Sequence, residues 1–274
     1  MDNIIDRAIY PLPEQEKEAK DKRRMGLGLT GVANAIEAIG YPYGSSFFLD
    51  ELETIMRILR DEAYKTSIEL AKEKGAFTLY DAALLESGFA LTLPRSIQEG
   101  ISTYGLRNSH LLSIAPTGTI SMTADNVSSG IEPVFSYAFD RDVQTADGPI
   151  RVHMEDYGYK VFCTKGRTTD QTPVEDHVSI LNLASRYVDS ACSKTCNVGD
   201  NVTWDEFKDV YMKAYKGGAS GCTTFRASGK RYGILNASAV EDIVEEKEAK
   251  EIFVNEGDGG ACFFDPSTGQ RTCE

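Results

Sequence analysis

An apolar run that ends in a proline and a cluster of hydroxyls constrains this chain more than any other feature. The run Leu111–Ala115 predicts a buried strand, and the sequence PTGTIS follows it directly at 116–121. A strand that ends in a tight turn before a helix points backbone N–H groups and a helix N-terminus at one spot, which favours an anion such as phosphate. A plain turn before a capped helix would use the same residue types, so both interpretations stay open.

Each residue of this loop has an expected part in phosphate binding. Gly118 would allow close backbone approach, and the hydroxyls of Thr117, Thr119 and Ser121 would add donors without a lysine. The candidate substrate-binding residues are Pro116, Thr117, Gly118, Thr119, Ile120 and Ser121.

Charge and cysteine content exclude several classes of function. The net charge of −13 argues against binding to DNA, RNA or an anionic membrane, each of which needs clustered Lys and Arg. We find no apolar stretch long enough for a membrane helix and no signal peptide, so we expect a cytoplasmic protein. Six cysteines in 274 residues are too few for a disulfide scaffold.

Hydrophobic periodicity predicts helices that alternate with short strands. One long helix is expected from Pro13 to Gly40, and a second, with an apolar stripe that includes Leu52, Ile55 and Leu59, should end at Gly75. Capping boxes at 172–175 and 203–206 should open two more helices. Apolar runs predict strands at 106–115, 130–139 and 222–226. This alternation favours an α/β fold.

The sequence GLGLTG at 26–31 matches the G-x-G-x-x-G fingerprint of dinucleotide-binding turns. That fingerprint must follow a buried strand, whereas here it follows a charged stretch in helical register. We therefore interpret these glycines as small residues on a helix face that let another element pack closely.

The character of the chain changes near residue 240. We predict one main domain at 1–240, an acidic linker at 241–260 and a flexible tail at 261–274. The tail contains Cys262 and Cys273, which could meet as a disulfide across a flexible loop. Cys192 and Cys196 have a C-x-x-x-C spacing, but they lack a second pair or a nearby histidine for zinc, so buried or half-buried thiols are expected.

Three long segments resemble the large catalytic subunit of ribonucleotide reductase, above all its adenosylcobalamin-dependent branch. They are, in the family's order, DNIIDRAIYPLPEQEKEAKDKRRMGLGLTGVANAI at 2–36, LRNSHLLSIAPTGTISMTADNVSSGIEPVFSYAF at 106–139 and SKTCNVGDNVTWDEFKDVYMKAYKGGASGCTTFRASGKR at 193–231; the terminal cysteine pair follows them. The resemblance implies the second half of a ten-stranded α/β barrel. It also implies that Pro116–Ser121 holds the β-phosphate of a ribonucleoside diphosphate, whose reduction supplies deoxyribonucleotides for DNA replication.

The same resemblance implies a missing part. The family's thiyl-forming cysteine, in an NLCxE-type segment, is absent from this sequence. We therefore expect a split enzyme, in which an N-terminal-half chain supplies the radical cysteine, most contacts to adenosylcobalamin and the allosteric site. Cys262 and Cys273 would be the thiol–disulfide shuttle that a thioredoxin-like dithiol reduces.

Two features bear on the branch of the family and on rival functions. Members that take their radical from a metal-containing subunit have two tandem tyrosines where this chain has Phe225 and Arg226, which favours cobalamin. A large-subunit fragment of that metal-dependent branch remains an alternative. So does a non-catalytic nucleotide-binding module, which would bind a nucleotide without a partner; a pure thiol–disulfide carrier would be expected to have a C-x-x-C pair, which this chain lacks.

Overall fold

The computed structural model describes residues 1–145, 148–199, 202–226, 236–237, 262–265 and 270–273. The chain divides into two compact units, Met1–Ser238 and Ala239–Glu274. The predicted acidic linker at 241–260 lies outside the described residues, and the predicted tail is described only at 262–265 and 270–273.

Helices dominate the first unit. The α-helices of the described residues are α1 (Asp2–Arg7), α2 (Pro13–Lys22), α3 (Val32–Ala38), α4 (Ser46–Lys74), α5 (Arg95–Tyr104), α6 (Tyr157–Phe162), α7 (Val174–Ser185) and α8 (Trp204–Lys216). Short 3-10 helices lie at Ala82–Glu86, Ala90–Thr92 and Ile120–Ala124. The strands are β1 (Ala138–Thr145), β2 (Gly148–Glu155), β3 (Thr195–Asn197), β4 (Thr223–Phe225), β5 (Asn236–Ala237), β6 (Cys262–Asp265) and β7 (Gln270–Cys273). Among these described helices, none is long and apolar enough to cross a membrane.

The second predicted helix is confirmed as α4. Ser45 caps its start by accepting a hydrogen bond from the Phe48 backbone, and Gly75 ends it with a φ of +83°, which a glycine adopts at little cost. Its deepest stripe includes Phe48, Leu52 and Met56. The predicted Ile55 and Leu59 lie half-buried beside that stripe.

The first predicted helix is wrong as a single element. α2 ends at Lys22, its C-cap residue Arg23 has a left-handed φ of +48°, and the chain is not helical again until α3 begins at Val32. Two interactions override the helical periodicity. The buried guanidinium of Arg23 binds the carboxylates of Asp2 and Asp6, and the extended residues that follow bond to residues 110–113.

Four extended segments lie side by side and define what we call the parallel array: residues 25–28, 110–115, 190–198 and 222–226. Parallel bridges join Leu27 to Leu112 and Ile114 to Cys192, and β3 pairs in parallel with β4. Leu111, Leu112 and Ile114 are all buried, so the second segment is covered on both faces, as in parallel sheets with helices on each side. The strand predicted at 222–226 is confirmed as β4 at Thr223–Phe225, whereas of the strand predicted at 106–115 only residues 110–115 lie in the array.

The glycines at 26–31 are therefore not helical, and that prediction is wrong. The close packing expected of them is nevertheless observed. A Cβ at Gly28 would lie 2.3 Å from the carbonyl oxygen of Ser113 in the neighbouring segment. Only glycine permits this approach between the first two segments of the parallel array.

The two predicted capping boxes have different outcomes. Thr203 and Glu206 form a complete box at the start of α8. At α7 the N-cap is Pro173, and the Thr172 hydroxyl donates to Thr168 O instead, so the box predicted at 172–175 is wrong. The helix itself is where the sequence predicts it.

An antiparallel hairpin follows the predicted strand at 130–139. Only the last two residues of that prediction, Ala138 and Phe139, belong to β1, which pairs with β2. Val134 makes an isolated parallel bridge to Thr168. The mixed helices and strands fit an α/β fold, but the described residues form an open array and no closed barrel, so the ten-stranded barrel stays a prediction.

Candidate functional site

The loop 116–121 follows the second segment of the parallel array at its carboxyl end. Ala115, Pro116 and the residues Gly118–Ile120 are exposed, whereas Thr117 is half-buried. The helix predicted after the loop is the short 3-10 helix Ile120–Ala124. The loop thus lies at the end of parallel strands, where ligands bind in open α/β sheets.

Thr117 fixes the shape of the loop. It has a left-handed φ of +53°, which is uncommon for a β-branched residue. Its hydroxyl accepts a hydrogen bond from the Gly130 backbone at 2.7 Å and lies 2.9 Å from the Thr30 hydroxyl. Because the Thr30 hydroxyl donates to Ser128 O, the Thr117 hydroxyl must donate to Thr30. This side chain is therefore engaged inside the protein.

Ser121 also faces inward. It is 2% exposed, its backbone N–H donates to Thr117 O at 2.9 Å, and its hydroxyl lies 3.4 Å from that of Ser129. The side chains of Thr117 and Ser121 thus hold the loop in place from within, rather than presenting their hydroxyls to solvent.

Gly118 and Thr119 present free donors of the loop, and the backbone N–H groups of Thr117 and Ile120 also donate no hydrogen bond within the described residues. Across the described part of the chain, neither the backbone N–H of Gly118 nor that of Thr119 donates a hydrogen bond, and the Thr119 hydroxyl has no partner. A Cβ at Gly118 would meet nothing closer than the Ser129 hydroxyl at 4.0 Å. An anion could approach this backbone without a steric obstacle, and the donors would not have to give up internal bonds.

A buried hydrogen-bond network supports residues 128–130, the segment that bonds to Thr117. The Asn34 side chain accepts from the Ser128 backbone at 2.6 Å and donates to both carboxylate oxygens of Asp156, at 2.9 and 3.0 Å. Asp156 also caps α6, and its burial raises the pKa of its carboxyl. This network ties α3 and α6 to the segment that contacts Thr117.

A buried ion pair involves Glu132, two residues after Gly130 in the same segment. The ammonium group of Lys194 bonds to Glu132 Oε2 at 2.6 Å, to His177 Nδ1 at 3.0 Å and more weakly to Thr195 O. Burial, followed by the charge of Lys194, lowers the pKa of His177 to about 3. Since Nδ1 accepts from the ammonium, the imidazole proton is on Nε2, which has no partner among the described residues.

Sequence reasoning missed this ion pair. Glu132 and Lys194 each stand in a short apolar or strand-like stretch, and that isolation of opposite charges was the available signal. Glu132 also accepts a hydrogen bond from the Thr195 backbone at 2.6 Å. Glu132 thereby links the segment that follows Gly130 to β3.

The predicted cysteines fall in two regions. Cys192 and Cys196 are buried, as predicted, at 6% and 0% exposure. In the second unit Cys262 lies opposite Cys273 in the antiparallel register of β6 and β7. Opposed residues in such a pair have Cα atoms about 4.5–5.5 Å apart, within the range of disulfides. The shuttle role of this pair stays a prediction.

Comparisons with known proteins point to one family. The family model described as "Ribonucleotide reductase, barrel domain" matches residues 1–225. A vitamin B12-dependent ribonucleoside-diphosphate reductase of Mycobacterium tuberculosis is 29% identical over 96% of this chain and 40% of its own length. One of Thermoplasma acidophilum is 28% identical over 100% and 38%, and a ribonucleoside-diphosphate reductase subunit alpha of Treponema pallidum is 23% identical over 80% and 26%. The chain thus spans about two fifths of the first two relatives.

Proposed function

This chain belongs to the ribonucleotide reductase barrel family, and from that premise we propose that it is part of a B12-dependent ribonucleoside-diphosphate reductase. It would contribute the loop that holds the substrate's phosphate and a thiol pair that returns electrons to the active site. The observation that carries this proposal is the pair of free backbone donors at Gly118 and Thr119, at the carboxyl end of the parallel array.

The loop would bind a diphosphate through dipoles. The N–H groups of Gly118 and Thr119 and the Thr119 hydroxyl would donate to phosphate oxygens, while Thr117 and Ser121 hold the backbone in position. Pro116 and Ile120 would flank the phosphate. Because the donors are neutral, a chain with a net charge of −13 can hold an anion at this place.

The first segment of the parallel array supports the need for a partner. Residues 25–28 bond to 110–113 on one side, and the backbone N–H groups of Gly26 and Gly28 donate no hydrogen bond within the described residues. An apolar recess of about 460 Å³, lined by Met25, Leu27 and Leu59 among others, lies at this segment. An N-terminal-half chain would extend the sheet here and cover the recess.

That partner would also supply the radical cysteine. This chain's share of the chemistry would be to orient the ribose by its phosphate, and to reduce the disulfide that turnover leaves. Cys262 and Cys273 would do this by thiol–disulfide exchange, in which two electrons and two protons pass to the active-site pair. A thioredoxin-like dithiol would then reduce the tail. Such a cycle suits the reducing cytoplasm, where we place the enzyme.

Adenosylcobalamin would generate the radical, and its site would lie mainly in the partner. Phe225 and Arg226, in place of tandem tyrosines, support cobalamin over a radical-generating metal subunit.

The test is ribonucleoside-diphosphate reduction by this chain with its N-terminal-half partner, adenosylcobalamin and a dithiol. Activity should require both chains. Cys262→Ser with Cys273→Ser should keep activity with a small dithiol and lose it with thioredoxin. No activity in any mixture, together with tight nucleotide binding by this chain alone, would leave a nucleotide-binding module instead.

Two loop variants test the phosphate site within the same assay. Gly118→Ala places a methyl group beside the free donors, and Thr119→Val removes a hydroxyl without changing the shape. Each should raise the KM for the diphosphate by about tenfold, equivalent to one good hydrogen bond. Thr123→Val is the matched control, because that exposed hydroxyl bonds internally to Ile120 O. An unchanged KM in both loop variants would refute phosphate binding there.

A further inference from the structure

Two cysteines outside the predicted tail lie next to each other on neighbouring strands. Cys196 is in β3, and Cys222 immediately precedes β4; their sulfur atoms are 3.7 Å apart. The strands pair with Thr195 opposite Thr223, so Cys222 is a diagonal neighbour of Cys196. A disulfide needs the sulfurs to approach to about 2.05 Å, a movement that side-chain rotation and a small strand shift could supply.

The two thiols differ in access and acidity. Cys196 is fully buried, whereas Cys222 is only partly buried and can be reached from solvent. The hydrogen bond with Cys196 is the largest influence on Cys222 and lowers its pKa; burial opposes this, and the charge of Lys194 lowers the pKa further. The same hydrogen bond and burial raise the pKa of Cys196. Cys222 is thus the more acidic and accessible thiol, and Cys196 is the buried partner.

We propose that Cys196 and Cys222 form a reversible disulfide that makes the β3–β4 pair a peroxide-sensitive dithiol site. The Cys222 thiolate attacks hydrogen peroxide, so that an S–O bond forms, the O–O bond breaks and hydroxide leaves to become water. The Cys196 thiol then gives up its proton and displaces hydroxide from the sulfenic acid, and the S–S bond forms. Two thiols and one peroxide give one disulfide and two waters. A dithiol returns the two electrons.

The other cysteines with described side chains lack this combination. Cys192 is buried, and burial raises its pKa to about 11, which leaves almost no thiolate at neutral pH. Cys163 is exposed, and no other sulfur contacts it within the described residues. Among these four side chains, only Cys196 and Cys222 combine an accessible thiol of lowered pKa with a second sulfur in contact.

Peptide mapping of the full chain tests the proposal directly, because trypsin separates the cysteines. Cys192, Cys196 and Cys222 fall in peptides 187–194, 195–208 and 217–226. After treatment with hydrogen peroxide and then with N-ethylmaleimide in denaturant, which exposes buried thiols, most of 195–208 and 217–226 should appear as one cross-linked species, which dithiothreitol abolishes. In the reduced protein Cys222 should react with the maleimide about tenfold faster than Cys192.

Three variants complete the design. Cys163→Ser and the double variant Cys262→Ser with Cys273→Ser should leave the cross-link unchanged, and Cys222→Ser should abolish it. Thermal melting of each variant shows that it is folded. The proposal is overturned if peroxide leaves both cysteines open to the maleimide, or if Cys222 pairs with Cys163, Cys192 or the tail.

Discussion

The ammonium group of Lys194 lies 2.6 Å from Glu132 Oε2, and the lysine side chain is closed to solvent. This contact joins Lys194, the residue before β3, to the segment that continues from Gly130 beside the loop 116–121. It is the one described place where a fully buried lysine and a carboxylate meet, and its energetics can be measured.

Lys194→Met should destabilise the chain by about 3 kcal/mol, because it leaves the Glu132 carboxylate largely buried without its partner. Unfolding in urea measures the loss. The double variant with Glu132→Gln removes both charges, so it should lose less than Lys194→Met alone. If the loss of stability in the double variant equals the sum of the losses in Lys194→Met and Glu132→Gln measured singly, the pair contributes no coupling energy.

Acid should destabilise the chain through His177. Burial and the charge of Lys194 hold the pKa of this imidazole at about 3 in the folded state, below its ordinary value of 6.5. Between these values the unfolded state binds more protons, so stability falls as the pH falls, by at most about 1.4 kcal/mol per pH unit.

His177→Asn keeps an acceptor near Lys194 and removes the titration. Denaturant unfolding from pH 7 to pH 4 should therefore show a shallower slope for this variant. His153→Asn is the control, because the side chain of His153 is 61% exposed. Equal slopes for wild type and His177→Asn would contradict the assignment.

Gly28→Ala should cost about 2 kcal/mol or more, since the added methyl would lie 2.3 Å from a backbone oxygen of Ser113 that cannot move away without breaking the parallel array. Gly88→Ala is the matched control, because a Cβ there meets nothing within 4 Å. Thermal unfolding compares the two. A Gly28 variant as stable as the control would mean that the first two segments can separate at no cost.

Asp2→Asn should destabilise the chain by about 3 kcal/mol, and Asp6→Asn by less than about 1 kcal/mol. Asp2 is buried and accepts hydrogen bonds from Arg23, Arg107 and Asn108, whereas the side chain of Asp6 is 46% exposed. Burial pushes the pKa of Asp2 upward, but the bonds from the two arginines offset this and leave it lowered.

A difference between these two variants, measured by urea unfolding at neutral pH, would confirm that Arg23 is anchored mainly by Asp2. Equal losses would place the anchor in the exposed pair instead.

Local sequence signals predicted the helices α4 and α8 correctly. For α4 the apolar stripe and the terminal Gly75 indicate the same element, for α8 the capping box at 203–206 marks the start, and the structure has both helices. For residues 13–40 the stripe alone was misleading. The end of α2 depends on a buried contact between Arg23 and Asp2, 21 residues apart, which no local pattern encodes.

The loop 116–121 shows the same limit at the level of single side chains. Its position after a buried strand could be predicted from the run at 111–115. The inward direction of Thr117 could not, because it depends on Thr30 and Gly130, which are distant in sequence. The sequence therefore predicted where the loop lies but not which of its side chains turn inward.

The connectivity of the parallel array sets an order in which the chain can acquire its structure. The first two bridges join residues about 80 positions apart, whereas β3 and β4 are linked through α8 alone, about 30 positions apart. Closing the shorter loop loses less chain entropy, so β3, α8 and β4 can assemble early and the N-terminal segments later. Folding of the whole array should be slow, and Cys196 should reach the neighbourhood of Cys222 before Leu27 reaches Leu112.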